Sequence, residues 1–97
     1  MTLFKVHRIS GDSMSPAFLA GDYVVSFRWP LTPFREGDVL VVNHPSLGVI
    51  IKRVASILPE GQFTLKGDNL QSTSSATMGC LSRKHLIGRV FWRITLP

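Results

Sequence analysis

The chain has 97 residues, a formal net charge of +5, 44% hydrophobic residues and 18% charged residues. This length predicts one domain, residues 1–97, and the composition excludes a disordered or collagen-like chain. No run approaches the roughly 18–20 apolar residues that span a bilayer, and residues 1–10 lack the apolar core of a signal peptide. We therefore expect a soluble cytoplasmic protein without a membrane span.

The charges and the cysteine count narrow the possible partners. The 11 basic residues are scattered along the chain and form no aromatic-interleaved stripe, so we expect no nucleic-acid partner. The single cysteine, Cys80, cannot form an internal disulfide, and the histidines lack the spacing of zinc ligands. The sequence predicts no metal and no cofactor, and it leaves the oligomeric state open.

Short β-rich stretches alternate with turn signals about every ten residues along the chain. Predicted strands cover, in chain order, residues 3–9, 23–28, 39–42, 49–58 and 88–96, and residues 63–66 lead into the segment 67–69. Single helical turns are expected within 16–19 and 83–87, and a Ser/Thr-rich loop within 70–77. No segment has a persuasive 3.6-residue period. The pattern predicts an all-β fold, mainly antiparallel.

Residues 10–16 (SGDSMSP) form a turn of small residues that can hold the Ser13 hydroxyl away from the backbone. Gly11 permits unusual dihedral angles and a close approach to a substrate, and Pro16 stiffens the exit. The same residue types also build ordinary turns and helix caps. This motif alone therefore allows a nucleophile or a purely structural turn.

A serine is a weak nucleophile near neutral pH and needs a neighbouring base. Lys52 stands in an apolar stretch, and in a strand Ile50 and Val54 would share its face. Loss of water around the amine would favour its neutral form, which can accept a proton. The alternative is a lysine on an edge strand whose ammonium extends into solvent.

Four segments in order carry a family resemblance: residues 11–16 (GDSMSP), 51–54 (IKRV), 66–69 (KGDN) and 88–90 (GRV). Together they resemble the conserved boxes of the signal peptidase I and repressor-autoprotease (LexA-like) superfamily of serine–lysine peptidases. The resemblance implies a coiled β-sheet or partly open barrel with a substrate groove. It also implies a catalytic dyad in which Ser13 is the nucleophile and Lys52 the general base.

The same resemblance implies supporting roles for other groups. The backbone N–H of Ser13 would stabilise the oxyanion of the tetrahedral intermediate, and Met14 would line the substrate groove. Either Ser72 or Thr73 would orient the amine of Lys52, and the sequence does not choose between them.

The implied function is a small soluble endopeptidase that removes a leader peptide from a protein precursor. The short spacing of the dyad, 39 residues, is nearer to that of the repressor-type autoproteases. As a compact chain, this protein resembles the maturation proteases of nickel-type superoxide dismutase, whose precursor is the expected substrate. One alternative is a self-cleaving repressor-type domain, although only nine residues precede Ser10 as a cleavage segment. Another is a non-catalytic basic β module that binds nucleic acid.

Overall fold

Seven strands form one antiparallel sheet in the computed structural model, which describes residues 3–29, 31–69 and 78–95. The strands are β1 (Phe4–Arg8), β2 (Tyr23–Phe27), β3 (Val39–His44), β4 (Gly48–Ile57), β5 (Phe63–Lys66), β6 (Cys80–Leu81) and β7 (Leu86–Ile94). Short 3₁₀ turns occupy Pro59–Gly61 and Arg83–His85. The order across the sheet is β1-β2-β7-β3-β4-β5-β6. This architecture confirms the prediction of an all-β, antiparallel fold, and the described sheet is not closed into a barrel.

The register between paired strands shifts at three places in the sheet. These irregularities lie between Val25 and Ser26 in β2, between Val41 and Val42 in β3, and between Val54 and Ser56 in β4. An extra residue in one strand bends the strand and increases its twist. The edge strand β1 and the inner strand β4 line the same cleft, although three strands separate them in the sheet. The sheet must therefore curve between them, and register shifts of this kind favour such curvature.

The hydrophobic core lies on one face of β3, β4, β5 and β6. Its buried members are Leu40, Val42, Val54, Phe63, Leu65, Met78, Leu81 and Leu86. Ile50 and Phe34 pack against this cluster while remaining partly exposed. Alternate residues of β4 therefore point into the core, as the two-residue period of a strand requires.

Strand β3 is longer than predicted because His44 continues it into the turn that follows. The imidazole Nδ1 of His44 accepts hydrogen bonds from the backbone N–H groups of Ser46 and Leu47, at 3.0 and 3.1 Å. Its Nε2 donates to the carbonyl of Met78 at 2.9 Å. These contacts fix the neutral tautomer with its proton on Nε2, so His44 is a buried structural residue.

An aromatic cluster attaches the edge strand β1 to the rest of the sheet. The ring of Phe4 lies 5.6 Å from that of Phe27 and 5.8 Å from that of Phe91, measured between centroids. Trp29 stacks on Phe27 at 5.8 Å. Such ring pairs are typically worth about 0.5–1.5 kcal/mol each beyond their burial. The cluster thereby holds in place a strand that lines the cleft.

Gly88 marks a close approach between β7 and β2. A Cβ at this buried position would lie 2.8 Å from Ser26 Oγ and 3.1 Å from the carbonyl oxygen of Phe27. We expect Gly88→Ala to lower the free energy of unfolding by about 1–3 kcal/mol, measured by urea denaturation, because overpacking forces the neighbours to shift. Adding Ser26→Gly should recover part of the loss, and an unchanged stability of the single variant would contradict this packing.

Candidate active site

The Ser13 turn lies between β1 and β2 and has a defined backbone. Gly11 adopts a φ of +72°, in the left-handed region that glycine enters without strain. The N–H of Ser15 donates to the carbonyl of Asp12 at 3.0 Å, which closes the turn around Ser13. Ser13 itself is half-buried. The turn predicted from the sequence is therefore present, and it places the serine at the surface of the cleft described below.

Backbone hydrogen bonds fix the two ends of this loop. The N–H of Ile9 donates to the carbonyl of Asp22 at 2.7 Å, and the N–H of Gly21 donates to the carbonyl of Ile9 at 2.9 Å. The buried carboxylate of Asp22 also accepts a hydrogen bond from the N–H of Leu19 at 2.9 Å. The segment that carries the serine is thus closed at its base and held against β2.

Lys52 is buried in β4, with only 6% of its surface exposed. Ile50 and Val54 share its face of the strand, and Leu40 lies opposite it on β3. Burial among these side chains lowers the pKa of the Lys52 ammonium, because desolvation penalises the charged form. Within the described residues no carboxylate forms an ion pair with it. Lys52 is therefore in the environment that a lysine base needs.

Ser13 and Lys52 line one cleft of about 410 Å³. Its walls are β1, the Ser13 turn and the first half of β4. The lining residues are Val6, His7, Arg8, Ile9, Ser10, Ser13, Met14, Val49, Ile50, Ile51 and Lys52. Met14 is 2% exposed, so it contributes to the wall from a position in the interior. Ser72 and Thr73, the expected orienting residues, lie outside the described residues.

A bidentate ion pair connects β4 to the segment that follows β5. Arg53 Nε donates to Asp68 Oδ1 at 2.8 Å, and Arg53 Nη2 donates to Asp68 Oδ2 at 2.7 Å. The hydrogen bond from Arg53 lowers the pKa of the Asp68 carboxyl and raises that of the guanidinium. Arg53 Nη1 also donates to the carbonyl of Gly37 at 2.6 Å. The residue next to Lys52 is thereby held from two sides.

Asn69 continues this connection to the serine. Its backbone N–H donates to the carbonyl of Ser13 at 2.8 Å, and its side-chain Nδ2 donates to the carbonyl of Asp12 at 3.1 Å. Since Asn69 follows Asp68 and Arg53 follows Lys52, a short path of polar contacts joins the two residues of the proposed dyad. The sequence marked residues 66–69 as a motif, but it gave no signal for these partners.

The comparison with protein families agrees with the geometry. A family model described as Peptidase S24-like matches residues 4–91. The chain belongs to this peptidase S24-like family. A search of the curated proteins gives no match.

Membership of the S24-like family confirms the superfamily that the four sequence motifs indicated. The matched range contains Ser13, Lys52, Arg53, Asp68 and Asn69. The more specific assignment, to the maturation proteases of nickel-type superoxide dismutase, stays a prediction. No helix in the described part of this S24-like chain has the length and apolar character needed to cross a membrane.

Proposed function

We propose that the chain is a small serine endopeptidase that cleaves a peptide bond in a protein substrate, with Ser13 as nucleophile and Lys52 as general base. The observation that carries the proposal is the burial of Lys52 in the wall of the cleft that also contains Ser13. A lysine stripped of water loses its proton more readily, so it can take one from a nearby hydroxyl.

In the first half of the reaction, Ser13 Oγ attacks the carbonyl carbon of the scissile peptide bond. Lys52 Nζ takes the hydroxyl proton as the new C–O bond forms. The tetrahedral intermediate then collapses, the C–N bond breaks, and Lys52 delivers the proton to the leaving amine. The products are an ester that joins Ser13 to the amino-terminal part of the substrate and a carboxy-terminal fragment that leaves with a new free amino group.

In the second half, a water molecule attacks the ester carbonyl while Lys52 accepts one of its protons. Collapse of this second intermediate breaks the bond to Ser13 Oγ, and the proton returns to the serine oxygen. The enzyme regains its starting state and the second product leaves with a free carboxylate. The same amine therefore acts as base and acid in both halves of the cycle.

The backbone N–H of Ser13 is the proposed donor to the oxyanion. Among the described residues it has no hydrogen-bond partner, so it is available to a substrate oxygen. A donor of this kind is worth roughly 3–4 kcal/mol of transition-state stabilisation. The contact from Asn69 to the Ser13 carbonyl holds the peptide unit that follows the serine.

The substrate is proposed to bind as an extended segment along β1. This strand lies at one end of the strand order and lines the cleft, so one of its edges can pair with a peptide backbone. Val6, Val49 and Ile50 supply apolar surface for the peptide side chains. Pairing of this kind would draw the scissile bond across the cleft between Ser13 and Lys52.

The precursor of a nickel-type superoxide dismutase is the proposed substrate. The support is the resemblance of the four motifs to the compact maturation proteases, together with the short connections of the fold. Three residues join β3 to β4 and five join β4 to β5, so short turns connect the strand that carries Lys52 to both of its neighbours in the sheet.

The test is incubation of the purified chain with such a precursor, followed by mass spectrometry of the products. We expect loss of an amino-terminal leader at one bond, at a rate that rises with enzyme concentration, and no cleavage by Ser13→Ala. The matched variant Ser15→Ala, in the same turn, should still cleave. Self-cleavage at a concentration-independent rate would favour the repressor-type alternative.

Incubation with a library of random octapeptides tests the peptidase activity independently of the proposed substrate. Cleavage of library peptides without cleavage of the precursor would reject the superoxide dismutase assignment alone. Cleavage of neither, by a folded protein, would contradict the peptidase proposal.

A further inference from the structure

Three ionisable side chains line the cleft: His7, Arg8 and Lys52. Burial lowers the pKa of Lys52, and burial together with the nearby charge of Lys5 lowers that of His7. An arginine stays protonated in proteins. Arg8 is therefore a side chain of this lining that carries a positive charge throughout the neutral pH range, whereas burial opposes the charged forms of Lys52 and His7.

Arg8 differs from most other arginines of the chain because its guanidinium has no partner among residues 3–29, 31–69 and 78–95. Five of the seven arginines donate side-chain hydrogen bonds: Arg28, Arg53, Arg83, Arg89 and Arg93. Within the described residues, Arg8 and Arg35 form neither a hydrogen bond nor an ion pair through their side chains. The five hydrogen-bonded arginines thus have structural roles. The guanidinium of Arg8, in contrast, lies beside the cleft without a bond to any described residue.

The position of Arg8 also favours a role in binding. It is exposed at the end of β1, where the main cleft meets a second depression of about 460 Å³ that Ser10, Gly11 and Gly21 also line. Neither lining contains an aspartate or a glutamate. An anionic side chain of a peptide bound here would lie near the positive charge of Arg8, and no carboxylate of the two linings would repel it or compete for the guanidinium.

We propose that Arg8 binds a carboxylate of the peptide substrate, so that the enzyme selects an aspartate or glutamate near the scissile bond and disfavours lysine and arginine there. The planar guanidinium can hold a carboxylate through two parallel hydrogen bonds. This inference rests on the proposed endopeptidase function and adds the charge of its substrate. Arg8 is here a specificity-determining residue, outside the proton transfers of the dyad.

The first test is cleavage of a random octapeptide library, with the products sequenced by mass spectrometry. The wild-type enzyme should enrich Asp and Glu at one position and deplete Lys and Arg there. Arg8→Glu should reverse this preference. For a matched pair of Glu and Lys peptides, we expect the ratio of kcat/KM to change about tenfold or more, mainly through KM, and to shrink with added salt.

Arg35→Glu is the control, because it makes the same change of charge at an exposed arginine that does not line the cleft. It should leave the preference intact. Equal use of Glu and Lys peptides by the wild type, or the same profile after Arg8→Glu, would overturn the inference while leaving the peptidase intact.

If no peptide is cleaved, the proposed function is contradicted, and a binding measurement then tests the carboxylate site at Arg8 by itself. The probes are two fluorescein-labelled octapeptide pools that differ only in a fixed Glu or a fixed Lys. Tighter binding of the Glu pool to Ser13→Ala, lost on adding Arg8→Glu, would support the carboxylate site. Equal binding of both pools would reject it.

Discussion

Lys52→Met is expected to abolish peptidase activity and at the same time to stabilise the fold. Activity, measured as kcat/KM on a cleaved peptide, should fall by about a thousandfold or more, because the serine hydroxyl loses the base that activates it. Stability at neutral pH, measured by urea denaturation, should rise by about 1 kcal/mol, because an apolar side chain replaces a buried amine.

The pH dependence of stability follows from the direction of the Lys52 pKa shift. Burial lowers this pKa in the folded state, so between the folded and unfolded values the unfolded chain binds more protons. The penalty of burying the amine is therefore complete below the folded pKa and disappears as the pH rises toward the unfolded value. The free energy of unfolding of the wild type should therefore increase as the pH rises through this range. Lys52→Met should lack the part of the increase that comes from Lys52.

Two further lysine variants separate charge from proton transfer. Lys52→Arg keeps a cation of similar length but cannot give up its proton, so it should be as inactive as Lys52→Met. Lys84→Met removes an exposed lysine outside the four sequence motifs and should change neither activity nor the pH profile of stability appreciably. Near-normal turnover by Lys52→Arg would contradict the role of a neutral amine.

Asp68→Asn is expected to impair both stability and catalysis, because it removes the charge that holds Arg53 beside Lys52. The partners are largely shielded, with side-chain exposures of 27% and 16%, so we expect a loss of about 1–2 kcal/mol in the free energy of unfolding. Activity should fall by about tenfold to a hundredfold, because small displacements within a catalytic pair are costly. Urea denaturation and kcat on the same peptide measure the two effects.

The loss of stability at low pH tests the Arg53–Asp68 ion pair in a second way. Arg53 lowers the pKa of Asp68 in the folded state, so the stabilisation is present above the unfolded pKa of about 4 and is lost as the pH falls through the folded value. Asp68→Asn should show a shallower loss of stability in acid. Glu36→Gln, at an exposed carboxylate outside any ion pair of the described residues, should behave like the wild type.

The sequence offered a buried Lys52 and a solvent-extended Lys52 as alternatives, and the structure shows the buried one. The two-residue period of a strand was the basis of the first alternative. Once residues 49–58 were assigned to a strand, Ile50 and Val54 had to share the face of Lys52, and that face proved to be the core face. Strand β2 was also predicted, since it is a β-rich run between turn residues, whereas β5 was not assigned from the sequence. Strand β6 was missed, because two residues carry no period.

The walls of the cleft and its polar contacts could not be derived in this way. Whether β1 faces β4 depends on how the sheet curves between them, and no local pattern encodes that curvature. The contacts of Asn69 with the Ser13 turn join residues more than 50 positions apart. Arg8 gave no signal either, since its lack of a partner is visible only when the surroundings of every arginine are known.

Titration of the four lysines by NMR tests the central claim most directly. The Cε and Nζ resonances of Lys5, Lys52, Lys66 and Lys84 can be followed against pH, with Lys52→Arg providing the assignment. We predict that Lys52 loses its proton at a distinctly lower pH than the other three. If Lys52 titrates together with them, its amine stays charged in the cleft and this account of the dyad is wrong.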